Sequence, residues 1–313
     1  MSLLSQKHLQ DEEAAYAWVE ARVWPEGPVC PHCAEKARVS KMQGKATRFG
    51  LYKCYACRKQ FRVTVNTIFE KSHVALHLWL QAFYLVAGSK KGISSNQLHR
   101  TLGVTLKTAW FMSHRIREAM RAGSLSPPMG GNGGAVEVDE TYLHLTDAAR
   151  DLQARGVKVV RRGMHRVILT LVERGGDARS FHVETASSGT LLPIVQENIA
   201  KEALIVTDDA AYYRFLKKRG HKHEKVNHSQ EEWVRGTIHT NTVEGYFSIF
   251  KRGMKGVYQH CSEKHLHRYL AEFDFRYNNR VKLGVNDEQR ASKAVAGVVG
   301  KRLTYRTTGS RAK

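Results

Sequence analysis

Ala135-Val136-Glu137-Val138-Asp139-Glu140-Thr141-Tyr142 runs a short apolar strand directly into an aspartate. Leu204-Ile205-Val206-Thr207-Asp208 repeats the device. Each run is short, β-branched and expected to be buried, so each reads as a core strand ending in a carboxylate. If the two strands are parallel neighbours, Asp139 and Asp208 meet at one edge of the sheet. The surrounding pattern supports a sheet. Strands are predicted over 135–138, 167–172 and 180–184, the last two joined by a Gly175-Gly176 turn that suggests a hairpin. Further strands are predicted over 203–206 and 222–227, with helices over 191–199, 210–218, 242–252 and 264–277. This is an α/β domain of mixed sheet and flanking helices, spanning 135–280.

Glu244 lies near the start of the predicted helix 242–252 and is placed to project toward the two aspartates. Three hard oxygen donors with no cysteine nearby suit magnesium or manganese. Two such ions about 4 Å apart serve phosphoryl transfer by activating one oxygen and stabilising another. Glu137, Glu140 and Asp209 compete with Glu244 for the third position. Strand alternation puts Glu140 on the face opposite Asp139. Lys251 follows Glu244 by seven residues, nearly two helical turns, and so shares its face as a phosphate contact. Arg252 and Lys255 extend that contact. His239 and His228 either touch phosphate, orient a metal-bound water or hydrogen-bond within their loop, and the loop role is favoured for His228. Asn241 or Thr242 is placed to cap the helix.

A second constellation lies upstream. Cys30-Pro31-His32-Cys33 and Cys54-Tyr55-Ala56-Cys57 are two CxxC pairs with room for a hairpin between them. Four thiolates complete a tetrahedral structural zinc site, so His32 is not needed as a ligand. The module, 29–65, is too small to bury a core and would depend on the metal for its fold. Lys53, Arg58 and Lys59, with Lys36, Arg38, Lys41, Lys45 and Arg48, make it basic and able to grip DNA. Four of the five cysteines are thereby used, which suits a reducing compartment. Cys261 is left as a small apolar side chain.

Residues 1–28 form a helical lead-in, with Asp11 before the helix 12–24 and Pro25-Glu26-Gly27-Pro28 after it. In 66–121, an apolar helix over 76–87 precedes two shorter helical segments. One begins at Ser94 and ends at Leu102-Gly103, and the next opens at Thr105. Short helix, glycine turn and basic helix read as helix-turn-helix-like, with Lys107, His114 and Arg115 as DNA contacts. Residues 122–134, rich in glycine and proline, form a linker. The basic segment 150–162 reads as an exposed loop or arm, and 281–313 as a basic tail.

Fifty Lys and Arg against 29 Asp and Glu leave a net charge of +21 in 313 residues. That excess calls for a polyanion, first of all nucleic acid. No leader-like apolar core and no stretch long enough to span a bilayer is seen. The expected setting is the bacterial cytoplasm, associated with the nucleoid, with no membrane partner.

The order of these motifs resembles the ISXO2-like branch of the IS1595 group of DDE insertion-sequence transposases. The resemblance covers most of the chain: the cysteine module, Asn66-Thr67-Ile68-Phe69, Lys91-Gly92-Ile93-Ser94-Ser95 and Lys107-Thr108-Ala109-Trp110. It continues through residues 136–142, Thr207-Asp208, His239-Thr240-Asn241-Thr242-Val243-Glu244 and Gly300-Lys301-Arg302-Leu303-Thr304-Tyr305-Arg306. It implies a ribonuclease-H-like core in which Asp139, Asp208 and Glu244 form the acidic triad and Lys251 is its basic follower. It also implies double-stranded DNA as partner, as terminal inverted repeats and as target, and a homo-oligomer assembled on it. Tyr246-Phe247 stands where Phe-Trp is expected. The implied chemistry is metal-dependent cleavage followed by strand transfer from a free 3′-hydroxyl. Competing functions are a ribonuclease-H-like nuclease, a domesticated zinc-ribbon regulator that binds without cutting, and a covalent serine or tyrosine recombinase, which would leave the acidic residues idle.

Overall fold

The computed structural model describes residues 5–123, 126–145, 147–157 and 164–304. They fall into two compact units: 5–121 with 285–304, and 122–284.

The first unit opens with α1 (Glu12–Val23), whose N-cap Asp11 accepts from the Ala14 amide at 2.8 Å. Strands β1 (Val39–Lys41), β2 (Tyr52–Cys54) and β3 (Gln60–Phe61) form an antiparallel three-stranded sheet. After β3 the chain turns, the Val65 amide donating to the Arg62 carbonyl. Helix α2 (Leu76–Gly88) buries Trp79, Leu80, Phe83 and Val86. Its N-cap is Ala75, which has no side chain to offer, and Glu12 from α1 instead accepts from the Leu76 and His77 amides at 2.7 and 3.0 Å. Helices α3 (Ser95–Leu102) and α4 (Leu106–Met120) are capped by Ser94 and Thr105 as their sequence predicts. Gly103 closes α3 at φ +66, a left-handed conformation that favours glycine.

The segment 281–313 is not simply a tail. Residues of α9 (Asp287–Ala296) recur at helical spacing, and Ala291, Ala294 and Val295 are buried. Asn286 and Gln289 close a capping box at its start, and Arg290 donates to the Ala87 carbonyl.

The second unit is built on β4 (Ala135–Leu145), β5 (His165–Glu173), β6 (Ala178–Val183), β7 (Leu204–Thr207) and β8 (Lys222–Lys225). They lie in the order β6-β5-β4-β7-β8. β6, β5 and β4 are antiparallel neighbours, whereas β4, β7 and β8 are parallel. Strand β4 is much longer than the predicted 135–138, because antiparallel pairing with β5 carries it through Tyr142↔Val167 and beyond. Asp139 therefore sits inside β4. The sheet separates two cores. Val136, Val138, Leu169 and Leu171 pack with Leu191, Leu192 and Val195 of α6 (Ser188–Asn198). Leu143, Ile168 and Val172 pack with α7 (Asn241–Gly253) and α8 (Leu266–Asn278). Cys261 is buried in this second core.

Three expectations change here. Residues 210–218 do not make an α-helix but two 3-10 turns, Ala211–Phe215 and Lys217–Arg219. The linker 122–134 ends as part of the domain: Met129 is buried and bridges to Ile199. Its Gly130 has φ +75, and a Cβ there would lie 2.5 Å from that of Ala203. The basic segment 150–162 begins inside α5 (Asp147–Ala154), while 158–162 lies outside the described residues. Among the described residues no helix is long and apolar enough to cross a membrane.

Candidate active site and cysteine cluster

Parallel pairing aligns Val136 with Ile205 and Glu137 with Val206. Carried two residues further, that register sets Asp208 beside Asp139. Val136 and Val138 face the α6 core, so alternation turns Glu137 and Asp139 toward the face that α7 covers. Glu244 lies in the first turn of that helix. The three acidic residues therefore come to one side of the sheet from three separate elements.

Their electrostatics agree. Burial pushes the Asp139 carboxyl well above the usual carboxylate range, and the neighbouring Glu140, Asp208 and Glu244 carboxylates push it further. Asp208 is also raised, chiefly by burial, while the Ala210 amide, bonded to it at 3.1 Å, works in the opposite direction. A cluster of oxygen donors in which each charge opposes the next is a site that a cation would relieve. The donor set fits a hard divalent ion. The acids do not close into a tight cage: among the described residues, only the four cysteines bring three or more ligand atoms within 4.8 Å of one another.

The competitors for the third position have other work. Glu140 faces the opposite side, where it accepts from the hydroxyls of Tyr212 and, at 3.0 Å, Tyr213. Asp209 accepts from the Ser229 hydroxyl. Glu137 is fully buried and accepts from the amides of Thr242 and Val243 at the start of α7. Glu244 is exposed and its Oε1 accepts from the Thr240 hydroxyl at 2.8 Å. Asn241 and Thr242, expected to cap α7, are instead its first helical residues. His239 lies 3.3 Å from Glu137, within the network at the start of the helix. His228 leans on Trp233 with ring centroids 4.6 Å apart, and its charge lowers the Asp208 carboxyl. Lys251 is half-buried in the last turn of α7, with Arg252 and Lys255 exposed beyond it.

Sequence reasoning missed the capping role of Glu137 and the two tyrosines on Glu140. The parity of Glu137 with Asp139 was the available signal: an ionisable residue on an inward-facing strand position needs a partner. The Tyr246 hydroxyl explains the departure from Phe-Trp, since it bonds Asp274 at 2.5 Å and Ser180 at 2.9 Å.

In the first unit the four cysteines converge. Cys30 and Cys57 sulfurs lie 3.7 Å apart, Cys33 and Cys54 sulfurs 3.6 Å. Tetrahedral zinc with Zn–S bonds of about 2.3 Å separates its sulfurs by about 3.8 Å, so the cluster fits that ion. Amides of Cys57 and Ala56 aimed at Cys54 bring its thiol down to about 7, favouring the ligating thiolate. His32 is exposed and outside the cluster. Arg58 and Lys59 are exposed, and the Lys53 ammonium sits 5.4 Å from the exposed Tyr55 ring.

The helical region corrects two expected DNA contacts. His114 and Arg115 are 1% and 6% exposed, and Arg115 donates to the Ile68, Glu70 and Leu303 carbonyls. Both belong to the packed half of α4, where burial extends around the helix, so neither is on the surface. Lys107 and Leu106, in its first turn, are exposed.

Comparison with known proteins yields two family matches. The family described as the ISXO2-like transposase domain matches residues 132–278. The transposase zinc-ribbon domain matches residues 10–60. An uncharacterized protein in the transposable element ISH50 of Halobacterium salinarum is 28% identical over 263 residues, covering 81% of this chain and 86% of the relative. An uncharacterized transposase-like protein of Haemophilus influenzae is 27% identical over 97 residues, covering 31% of this chain and 77% of the relative.

Proposed function

Since the chain belongs to the ISXO2-like DDE transposases of the IS1595 group, we propose that it binds the terminal inverted repeats of an insertion sequence, cleaves there and joins the freed ends to target DNA. The observation that carries this reading is the meeting of Asp139, Asp208 and Glu244 on one side of the β4–β7 register. The strand order, three antiparallel and two parallel, supports a ribonuclease-H-like core.

Asp139, Asp208 and Glu244 would hold two magnesium or manganese ions. Bound there, such ions supply charge compensation at phosphorus and lower the pKa of an attacking water or 3′-hydroxyl. The chain's own residues position the DNA. Lys251 shares the Glu244 face of α7 and holds a phosphate beside the carboxylates, with Arg252 and Lys255 continuing the contact. Lys53, Arg58 and Lys59 on the ribbon and Lys107 at the start of α4 bind the repeat, where phosphate contacts set position and base contacts set specificity. Zinc, held by Cys30, Cys33, Cys54 and Cys57, is structural. A homo-oligomer on DNA brings two ends together.

The test is incubation of the purified protein with DNA flanking its gene, with and without magnesium. Metal-dependent nicks exposing a 3′-hydroxyl at paired inverted repeats are expected. Binding without nicking at any metal concentration would favour a regulator, and cleavage of hybrid or branched substrates in preference to ends would favour a nuclease.

A further inference from the structure

A helix leaves its first amides without partners, and the N-cap side chain ordinarily satisfies one. Helix α7 is an exception. Its N-cap is Thr240, a good capping residue, yet Thr240 makes no side-chain cap bond. Its hydroxyl reaches forward and donates to Glu244 Oε1 at 2.8 Å. Glu137, 105 residues earlier, takes the amides instead. Its Oε2 accepts from the backbone of Thr242 at 2.8 Å and Val243 at 3.0 Å, and its Oε1 accepts from the Thr242 hydroxyl at 2.8 Å.

The arrangement differs from the start of α2. There the N-cap is Ala75, which cannot bond, so a carboxylate from another helix has no competitor. At α7 a competent cap is present and diverted. A buried carboxylate needs compensation, and Arg174 provides it: its Nε donates to Glu137 Oε1 at 2.6 Å, and its other nitrogens hold the Thr237 and His239 carbonyls. The loop before α7 is thereby tied to the same carboxylate.

We propose that Glu137 is a positioning residue: by capping α7 from β4 it releases Thr240 to orient Glu244, and so fixes the third acidic residue relative to Asp139. Glu137 and Asp139 are two positions apart on one strand and share a face, so the strand that carries the first catalytic carboxylate also holds the helix that carries the last. The catalytic part of this inference rests on the transposase reading above.

Substitutions at two residues test it, each with a readout independent of cleavage. Glu137→Gln keeps the shape but turns an amide nitrogen toward a donor. Faster hydrogen exchange at the Thr242 and Val243 amides is expected, with manganese binding, followed by electron paramagnetic resonance, weakened about tenfold or more. Nicking should slow about ten- to a hundredfold per folded molecule, most at low metal concentration. Thr240→Val should leave those amides protected while weakening manganese binding and nicking, and Thr240→Ser should restore both. Unchanged exchange in Glu137→Gln would overturn the cap. Faster exchange with wild-type manganese binding and nicking would reduce Glu137 to a purely structural role and overturn the proposal. If the wild-type protein cleaves no DNA, the transposase reading fails, and manganese binding and amide exchange in the two variants still decide for or against the positioning role.

Discussion

The cysteine cluster and the acidic site, each proposed here as a metal site, are built on opposite principles. The cysteines span 30 to 57, and among the described residues the apolar cluster around them contains only Cys30, Tyr52, Cys54 and Phe61 as buried members. Two of its four core residues are ligands. The acids span 139 to 244 and are supported by two large cores on either side of a five-stranded sheet. On the proposed reading the metal would hold the fold in the first case, and the fold would hold the place for the metal in the second. Removing each metal, or one ligand of each, should therefore have opposite consequences for stability.

The largest effect belongs to zinc. Structural zinc contributes on the order of 10 kcal/mol to folding of a small module. Cys54→Ser, or a strong chelator, should release one zinc per chain and unfold residues 29–65, abolishing repeat binding. The α/β domain should keep its own melting transition. Metal analysis and calorimetry check this, and retention of zinc by the variant, or a ribbon that stays folded after losing it, would break the contrast.

Asp139→Asn tests the other side. The variant removes a buried charge that its neighbours oppose, so nicking should fall by about a thousandfold or more while repeat binding persists. In the absence of metal the domain should become more stable, since the neutral amide escapes the burial penalty that raises the Asp139 carboxyl. Magnesium should then stabilise the wild type and not the variant. A loss of stability in the variant would mean that Asp139 is structural, as the cysteines are.

The same contrast explains what was legible in the sequence. The cysteine cluster could be read directly, because its thiols come as two local pairs whose spacing suits chelate loops. The proximity of Asp139 and Asp208 could be read because each follows an apolar run. The length of β4 could not: beyond Val138 the residues Asp139-Glu140-Thr141 are polar, and only pairing with β5 keeps them in the sheet. The helix expected over 210–218 failed because Tyr212 and Tyr213 are drawn to Glu140, a contact between residues 72 and 73 positions apart. His114 and Arg115 looked like DNA contacts because a basic helix after a glycine turn is usually exposed, whereas here carbonyls from residues 68, 70 and 303 take up the guanidinium. The segment 281–313 looked like a tail because charge masked the short apolar stripe of α9.

The smallest effect concerns how the end of β7 is held. The His223 ring Nε2 lies 2.9 Å from the Thr207 hydroxyl, which itself donates to the Asp208 carbonyl at 2.7 Å. The hydroxyl's proton is thus spent on Asp208, so His223 Nε2 carries the proton of the first bond, and the neutral ring is sufficient. Burial, helped by Lys217, brings His223 down to about 4. An unfolded histidine binds its proton near 6.5, so between pH 6.5 and 4 the unfolded chain carries more protons than the folded one, and acid favours unfolding. The stability at stake is fully present above pH 6.5 and is lost as pH falls toward 4, on the order of 2 kcal/mol. His223→Gln has no such charge to acquire, and its amide can still donate to Thr207. Its stability should fall less steeply than that of the wild type over this window, with His221 and the carboxylates cancelling in the difference. Parallel slopes would mean that the folded ring takes up its proton as readily as the unfolded one, and that the strand end carrying Asp208 does not depend on a neutral histidine.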